Sequence, residues 1–481
     1  MLFTEPLFLF LFLPALLAIY FASPRPIRNA VLLTASFLFY AWGQNIYVVV
    51  LLISILLNYW LGRAIGNFEE MKPRRLIVAL AIAANLLLLG SFKYPAFIVL
   101  NLNRLLGMLD LSSIPSPRSH LPVGISFFTL MGMSYVIDVY RKQIKPEKKF
   151  HVFLLYLTLF PYLIAGPIVR YAGIAKELVE RHVSLGGFAA GIRRFTIGLG
   201  KKMLISSTLG LTVDTIFKVP FAELEPGIAW LGAVAYALQL YFDVSGYTDM
   251  AIGLGLMFGF HLPENFNYPY VAQSVTDFWQ RWHMTLVGWF RDYLFFPLSY
   301  RRPTWRIHLN LIIVFVLCGF WHEGSWKFVV WGFAFGSVLA VERMGFAKLL
   351  ARWPRLLRHL YVVFVILVTC ILVRAPSLSD ALRFYQAMFA LNSGRAGHVL
   401  STYLTPMFLL ALSAGILGCL PLAPTIRNWQ ESLSSRLGDA RGNLLDAGFG
   451  VFNTASLAVI FLCSVSLSAA GTYSPFIYFK F

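Results

Sequence analysis

The chain has few charged residues for its size, and acidic residues are especially scarce. Asp and Glu number 22 against 40 Lys and Arg, and charged residues make up 13% of the 481 residues. An average soluble protein contains about 25% charged residues. Hydrophobic residues account for 58% of the sequence, and the mean hydropathy is +0.70. This composition cannot cover the surface of a water-soluble globule, so that class is excluded.

Cysteine is also scarce, and no pair has the CxxC spacing. Four cysteines lie within or at the ends of apolar runs: Cys318, Cys370, Cys419 and Cys463. This pattern argues against a disulfide framework or a metal cluster and predicts buried small hydrophobes. We recognise no P-loop, HExxH motif, GxGxxG fingerprint or internal repeat. We predict no metal site and no bound cofactor.

Long uncharged runs are abundant. Residues 6–24, 29–62, 119–137, 150–169, 396–426 and 447–479 contain no Asp, Glu, Lys or Arg. Because roughly 20 apolar residues cross a bilayer as a helix, they predict an all-α, polytopic integral membrane protein with about 11–13 membrane-associated helices. We predict these segments near residues 6–22, 30–42, 46–62, 76–92, 121–139, 150–169, 228–242, 250–260, 309–321, 327–341, 360–373, 404–422 and 448–468.

Several predicted segments do not fit a simple crossing. Segments 30–42 and 309–321 are too short to span alone, which favours re-entrant or half-buried helices. Segments 170–182 and 429–446 mix charged and apolar residues at helical spacing, which predicts helices lying at the membrane surface. The first apolar segment has no basic region before it, so we expect it to be retained as a span.

The basic residues indicate topology. They lie in short loops between apolar runs, so the net charge of +18 does not indicate a nucleic-acid partner. Placing the basic loops near residues 23–28, 63–75, 141–149 and 343–358 in the cytoplasm puts the N-terminus on the outer face. The same count puts the C-terminus there as well.

Polar residues between apolar segments are costly in a membrane and therefore indicate function. They are concentrated between residues 241 and 323. Asp243 and Asp249 interrupt an apolar stretch, and Asn265 lies in a turn that contains two prolines. These residues are the first candidates for a functional site.

Residues 274–292 predict one helix that carries further candidates. Ser274 is expected to cap it, and Asp277 and Arg281 are i,i+4 partners. Trp279, Trp282 and His283 share a face at i, i+3 and i+4. An interfacial helix anchored by tryptophans and an ion pair explains the same pattern without any catalytic function.

His322 follows an uncharged run that begins at residue 307, and Glu323 and Gly324 come next. A single histidine in such a run is more often a packed core residue than a catalyst. Imidazole is nevertheless the side chain best suited to proton transfer near neutral pH, and a dry cavity keeps it neutral and available as a base. Both interpretations remain open on this pattern alone.

Four motifs resemble the membrane-bound O-acyltransferase family. They are YFDVSGYTDMAIGLGLMFGF at 241–260, ENFNYPY at 264–270, FWQRWHMTLVGWFRDYLFFPL at 278–298 and GFWHEGSW at 319–326. The residues of these motifs are most similar to those of the bacterial branch that O-acetylates exported polysaccharides. The resemblance extends over the whole chain. The resemblance implies tilted helices around a funnel or tunnel, with His322 as the essential histidine and His283 as a second conserved polar position.

The resemblance also implies a mechanism. His322 would act as general base on an acceptor hydroxyl, which attacks the thioester of acetyl-coenzyme A entering from the cytoplasm. His283 or nearby Trp and Asn dipoles would stabilise the oxyanion. We place Trp279, Trp282, Arg281, Asp243, Asn265 and Trp321 in supporting positions around the tunnel.

The last six residues, FIYFKF, are unusually aromatic. An aromatic belt at the membrane interface accounts for them. They also resemble the FxYxxF motif of a small partner subunit in the related D-alanylation system, where the tyrosine is proposed to carry the acyl group. This resemblance makes Tyr478 a candidate acyl relay.

The resulting prediction is an O-acetyltransferase of the bacterial inner membrane that modifies an exported alginate-like or cellulose-like polysaccharide. Expected partners are a periplasmic SGNH-type or similar acetyltransferase, the polysaccharide synthesis and export complex, and membrane lipids. D-alanyl or lipid acyl transfer, a transporter or flippase, and a scaffold remain alternatives. We divide the chain into N-terminal helices (1–140), a catalytic core (141–345), C-terminal helices (346–470) and an aromatic tail (471–481).

Overall fold

The protein is helical. A computed structural model describes residues 1–117, 120–391, 399–471 and 476–477. Those residues form helices and connecting turns with no β-strand, which confirms the all-α prediction. Helices satisfy their own backbone hydrogen bonds, which is the requirement that a bilayer imposes on a chain that crosses it.

The helices follow one another through short connections. The first are α1 Leu13–Ala22, α2 Arg28–Gln44, α3 Val48–Gly66, α4 Met71–Lys93, α5 Pro95–Met108, α6 Ile125–Tyr140, α7 Phe150–Thr158, α8 Phe160–Leu163 and α9 Tyr171–Val179. The central ones are α10 Leu185–Gly200, α11 Thr208–Ile216, α12 Pro226–Met257, α13 Val275–Arg281, α14 Met284–Phe290, α15 Phe296–Ser299, α16 Thr304–His322, α17 Trp326–Val341 and α18 Ala347–Leu350. The last are α19 Arg355–Arg374, α20 Leu378–Met388, α21 Pro406–Gly418, α22 Leu422–Leu437 and α23 Asp439–Ala469.

Irregular helical turns extend or join these helices. Turns of π-helix cover Phe8–Phe12, Lys201–Ser207, Arg291–Phe295 and Glu342–Phe346, and 3₁₀ turns cover Arg25–Ile27, Asn45–Tyr47, Pro269–Val271 and Leu400–Tyr403. The π-turn at Lys201–Ser207 lies between α10 and α11 and carries two lysines. Such turns occur frequently at functional sites.

The described helices include several that can cross a membrane. Seven helical segments are long and apolar enough: Arg25–Gly66, Met71–Lys93, Pro226–Met257, Thr304–His322, Trp326–Leu350, Arg355–Arg374 and Asp439–Ala469. The pair α21 and α22, bent by 61°, raises the number to eight if it forms one span. Three shorter apolar helices accompany them: Phe8–Ala22, Pro95–Met108 and Ile125–Tyr140. This is a multi-pass membrane protein.

Several predicted boundaries were wrong. Segments 228–242 and 250–260 form one helix, α12, because Asp243 and Asp249 are neutralised by lysine and arginine side chains and do not interrupt it. Segment 150–169 is broken at Leu159, where Pro161 permits the first turn of a new helix but not the continuation of the old one. The predicted surface segment 429–446 is divided by Gly438, whereas the one at 170–182 contains helix α9.

Other helices were not predicted at all. These are α5, α10, α11, α15, α18 and α20, whose charged residues or brief apolar stretches obscure the pattern. Cysteine burial was predicted correctly for Cys318, Cys370 and Cys419, but Cys463 is exposed on α23.

Helices α10 and α12 pack with their backbones almost in contact. An added Cβ on Gly198 would lie 2.6 Å from the Gly246 carbonyl oxygen, and one on Gly253 would lie 2.6 Å from the Gly191 carbonyl oxygen. Glycine at these positions therefore permits the close approach. The approach brings the basic residues of α10 and the following π-turn against the two aspartates of α12.

Two hydrophobic cores divide α12 along its length. The first contains residues of α1–α4, α6–α10 and the second half of α12, and the other contains residues of α11, α17, α19, α20 and the first half of α12. Asp243 lies where the two cores meet, between Phe242 of the second core and Tyr247 of the first, and Asp249 lies in the half that belongs to the first core. Both aspartates are thus surrounded by packed apolar residues.

Candidate active site

His322 is the last residue of α16, in a shell of aromatic rings. Its ring centroid lies 5.0 Å from Trp321, 5.6 Å from Trp331 and 6.1 Å from Phe328. The helix ends there because Glu323 is extended and Gly324 follows, where a Cβ would lie 2.7 Å from the Tyr94 ring. His322 is half-buried, so the neighbouring rings orient the imidazole and still leave part of it accessible.

Two cavities meet at His322. The Lys93 cavity, about 130 Å³, is lined by Lys93, residues 121–127, Ile164, Trp321 and His322. The tryptophan cavity, about 60 Å³, is lined by His322 and mostly aromatic or aliphatic residues that include Trp279, Trp282, Phe328 and Trp331. His322 is the residue common to both linings. Its imidazole can therefore contact groups that arrive from two directions.

A third and larger cavity lies behind one aromatic layer. The Arg194 cavity, about 730 Å³, is lined by Arg194, Lys201, Asp249, Glu264 and apolar residues that include Tyr241 and Phe266. Trp282, in the wall of the tryptophan cavity, lies 5.1 Å from Phe266 and 6.0 Å from Tyr241 between ring centroids. These three rings therefore lie between the two cavities.

Ion pairs line the Arg194 cavity. Arg194 contacts both Asp249 and Glu264 at 2.6 Å, and Lys201 contacts Asp249 at 2.6 Å. Asp249 is almost fully buried, whereas Arg194, Lys201 and Glu264 are partly accessible. Two cations and two carboxylates thus face a cavity in an otherwise apolar region.

His283 is 2% exposed and has an unusual backbone conformation. Its φ is +46°, in the left-handed region, and it lies between the end of α13 and the start of α14. The single helix predicted over residues 274–292 was therefore wrong. His283 does not extend the face shared by Trp279 and Trp282, because the chain turns at Trp282.

Asn265 holds His283 and the start of α14. Its Oδ1 accepts hydrogen bonds from Thr285 N–H at 3.1 Å and from the Thr285 hydroxyl at 2.9 Å, and it lies 3.2 Å from His283 Nδ1. Its backbone carbonyl accepts from Met284 N–H at 2.9 Å. An amide oxygen only accepts, so Nδ1 carries the proton and the other ring nitrogen presents a lone pair.

His283 is outside the candidate spans, and burial lowers the pKa of its imidazole to about 3. It is therefore neutral at physiological pH. The structure thus combines a half-buried histidine at a junction of cavities with a second, neutral histidine held in one tautomer by Asn265.

The other predicted supporting residues have distinct positions. Trp279 and Trp282 line the tryptophan cavity, and Trp321 lines the Lys93 cavity. Arg281 pairs with Asp277 at 2.7 Å in the predicted i,i+4 register, and Ser274 caps α13 as expected. Asp243 is fully buried beside Lys202 and lines none of the three cavities described above. Tyr478 lies outside the described residues.

Sequence reasoning missed Lys93. It ends α4, its ammonium donates to Ser126 Oγ at 3.1 Å, and it lies 5.4 Å from the centroid of the Trp321 ring. It is separated from His322 by more than two hundred residues of sequence. A lysine at the end of an apolar helix is the ordinary signature of a membrane boundary, so nothing local distinguished it.

Glu342 was also missed, and it holds the helix that carries the tryptophans. The carboxylate is 1% exposed and accepts from Val275 N–H at 2.8 Å, from Thr276 N–H at 2.9 Å and from the Tyr361 hydroxyl at 3.1 Å. A carboxylate at a helix N-terminus satisfies otherwise unpaired N–H groups and complements the helix dipole. Glu342 thereby links the first turn of α13 to α17 and α19.

Comparisons with known proteins agree with this architecture. Residues 143–378 match the model of the membrane-bound O-acyltransferase family. The chain is 35% identical to a probable alginate O-acetylase of Azotobacter vinelandii over the full length of both proteins. It is 34% identical to a peptidoglycan O-acetyltransferase of Helicobacter pylori over 83% of this chain and 82% of that protein. A teichoic acid D-alanyltransferase of Bacillus subtilis is 29% identical over 45% of this chain and 59% of its own length.

The chain belongs to the membrane-bound O-acyltransferase family. It is therefore a multi-pass membrane acyltransferase, as the motifs between residues 241 and 326 predicted. His283 and His322 both lie within the matched segment.

Proposed function

We propose that this protein transfers acetyl groups from cytoplasmic acetyl-coenzyme A to an exported polysaccharide of the alginate type. The observation that carries the proposal is the position of His322 at the junction of two cavities. A group-transfer enzyme requires its base to reach donor and acceptor at once. The full-length similarity to an alginate O-acetylase supports the choice of acetyl and of a polysaccharide acceptor.

His322 acts as general base in the proposed reaction. It removes the proton from an acceptor hydroxyl, and that oxygen attacks the thioester carbonyl. The tetrahedral intermediate collapses, the carbon–sulfur bond breaks, and the thiolate leaves and takes up the proton from the imidazolium. General-base assistance of this kind contributes ~10²–10⁴-fold to a rate.

The developing oxyanion requires hydrogen-bond donors that do not need to reorganise. The indole N–H groups of Trp279 and Trp282 are the donors that we assign to this region. His283 directs its single N–H to Asn265, so we assign it a positioning role beside them. His283 is positioned through Asn265, whose oxygen gathers the Thr285 and His283 donors.

The Arg194 cavity is our candidate for the donor side. In the topology predicted from the basic loops, it lies toward the cytoplasm, and its volume of about 730 Å³ suits a large cofactor-like substrate. Arg194 and Lys201 would meet the phosphates of coenzyme A, which are anionic. The aromatic layer of Tyr241, Phe266 and Trp282 would then admit the acetylated end toward His322.

On the acceptor side, Tyr478 receives the acetyl group as an aryl ester and passes it to an exported partner. The partner is a periplasmic acetyltransferase of the SGNH type or a similar protein, associated with polysaccharide synthesis and export. We place the enzyme in the bacterial inner membrane with both termini on the periplasmic side. The aromatic FIYFKF sequence supports this role for Tyr478.

The test compares acetyl-ester content of the exported polymer in wild type, His322→Ala and His308→Ala at matched membrane expression. His308 is a buried histidine on the same helix, so it controls for loss of an imidazole from α16. We expect His322→Ala to make unacetylated polymer and His308→Ala to retain acetylation. Normal acetylation in His322→Ala would reject the mechanism.

A Tyr478→Phe chain tests the relay separately. Phenylalanine keeps the ring and removes only the hydroxyl that would carry the ester. We expect it to cleave acetyl-coenzyme A in the presence of hydroxylamine while polymer acetylation is lost. Full polymer acetylation by Tyr478→Phe would eliminate the relay and leave the role of His322 intact.

A further inference from the structure

Phe476 and Ile477, near the C-terminus, lie where the two hydrophobic cores meet. Phe476 is 3% exposed and Ile477 is 4% exposed. Phe476 packs in the first core, where its ring stacks on Tyr247 at 4.7 Å, and Tyr247 stacks in turn on Phe3 at 4.8 Å. Ile477 packs in the second core. Two consecutive residues are therefore buried in different hydrophobic cores.

A buried carboxylate binds the backbone of this segment. Asp243 Oδ2 accepts a hydrogen bond from Ile477 N–H at 2.7 Å. Its other oxygen accepts from the Lys202 ammonium and, at 3.2 Å, from Ser206 Oγ. Asp243 is 0% exposed and Lys202 is 3% exposed, so water does not compete for these contacts. A charge-assisted hydrogen bond in such surroundings is among the stronger ones available.

The carboxylate lies next to the wall of the His322 cavity. Leu240 and Val244, which flank Asp243 along α12, both line the tryptophan cavity that His322 shares. Asp243 itself points between the cores, toward Ile477. The residue that follows Ile477 in the sequence is Tyr478. The hydrogen bond therefore holds the backbone at Ile477, one residue before the tyrosine. It does so beside α12, which lines the tryptophan cavity.

We propose that Asp243 is a positioning residue that docks the C-terminal segment for acyl transfer. Lys202 and Ser206 hold the carboxylate, and the carboxylate holds the Ile477 amide. The inference rests on the proposed relay function of Tyr478 and assigns the group that brings that relay to the site. It also explains why an aspartate lies in the middle of an apolar helix without lining any of the three cavities around the site. Small errors in position cost large factors in group transfer, so the anchor affects rate more than fold.

The test is the pair Ile477→Pro and Ile477→Ala in the full chain in membranes. Proline removes the N–H that Asp243 accepts, whereas alanine keeps it and reduces only the side chain. Acetylation of Tyr478 is measured by mass spectrometry of the C-terminal peptide after incubation with acetyl-coenzyme A. We expect Ile477→Pro to acetylate Tyr478 at least ~10-fold more slowly than Ile477→Ala.

A second readout separates positioning from damage to the site. Hydroxylamine is a small acceptor that does not need the tail, so its His322-dependent cleavage of acetyl-coenzyme A should differ less than about twofold between the two variants. Equal Tyr478 acetylation in both variants overturns the anchor. Loss of hydroxylamine cleavage in Ile477→Pro also overturns it, because the contact would then be merely structural.

The hydrogen bond between Asp243 and the Ile477 amide can also be removed by changing Asp243. The double variant Asp243→Leu with Lys202→Met replaces the ion pair by apolar side chains of similar volume and leaves no unpaired buried charge. We expect it to reproduce the Ile477→Pro pattern, and wild-type acetylation of Tyr478 by it would contradict the inference. If wild type cleaves acetyl-coenzyme A through His322 but never acetylates Tyr478, the relay and the anchor both fail while the base remains. If cleavage does not depend on His322, the proposed function itself fails.

Discussion

Replacing Asn265 by alanine should remove activity mainly by releasing His283 and the start of α14. The amide oxygen is the partner of the Thr285 N–H and of His283 Nδ1; His283 is 2% exposed, and Thr285 is partly buried. Alanine removes the acceptor of both donors. A buried donor left unsatisfied costs about 1–3 kcal/mol, which is the cost we expect from His283 in the folded state.

The cost extends to a third segment of the chain. The Thr285 hydroxyl, which donates to Asn265, also accepts from Ile168 N–H at 3.0 Å. Losing Asn265 therefore loosens a network that connects the turn before α13, the start of α14 and the loop after α8. Because His283 has a positive φ that only its surroundings maintain, we expect the imidazole to leave its position.

The assay is thermal stability of the purified protein in detergent together with His322-dependent cleavage of acetyl-coenzyme A. Asn103→Ala is a matched control, since Asn103 also makes two hydrogen bonds, to the backbone of Ile114, but at an exposed position. We expect Asn265→Ala to lower the melting temperature and the rate strongly and Asn103→Ala to change both little. Equal effects of the two substitutions would refute the argument from burial.

Two further predictions concern buried groups next to the site. Burial lowers the pKa of His283 to about 3, so the unfolded chain binds the proton first and stability should fall as pH decreases from about 6.5 toward 3, with a slope approaching ~1.4 kcal/mol per pH unit. A thermal-stability pH series should show a shallower slope for His283→Gln, and identical slopes would contradict this. Glu342→Gln should destabilise the protein by about 1–3 kcal/mol, because Val275 N–H and Thr276 N–H bind different carboxylate oxygens and the amide nitrogen would face one of them. Its melting temperature, compared with that of an exposed Glu431→Gln variant, measures the effect.

Local sequence patterns predicted the class of the protein and part of the site. Low charge and long apolar runs predicted a helical multi-pass membrane protein, since a bilayer leaves few other structures for such a chain. The Ser274 cap and the Asp277–Arg281 pair were predicted correctly, because they depend only on residues three and four apart on one helix. His322 was singled out by the resemblance of GFWHEGSW to the acyltransferase family, because the apolar run alone left a packed core histidine open as an explanation.

The errors occurred where distant residues determine local structure. Two aspartates suggested a break in α12, but lysines and an arginine from the neighbouring α10 and π-turn neutralise them and the helix continues. His283 was assigned to a continuous helix, but the Asn265 contacts stabilise a left-handed residue there. In both cases the stabilising partners are distant in the sequence, so no pattern near the aspartates or near His283 indicates them.

The sequence by itself therefore determined that this protein lies in a membrane and that it is helical. Its motifs identified the acyltransferase family and, through that family, the candidate base. Only the tertiary structure decided that His322 lies between two cavities, that Lys93 faces it, and that Asp243 binds the amide of Ile477, 234 residues away. The physical reason is that hydropathy and capping act over one or two helical turns. Cavities and buried ion pairs arise only when helices far apart in the chain pack against one another.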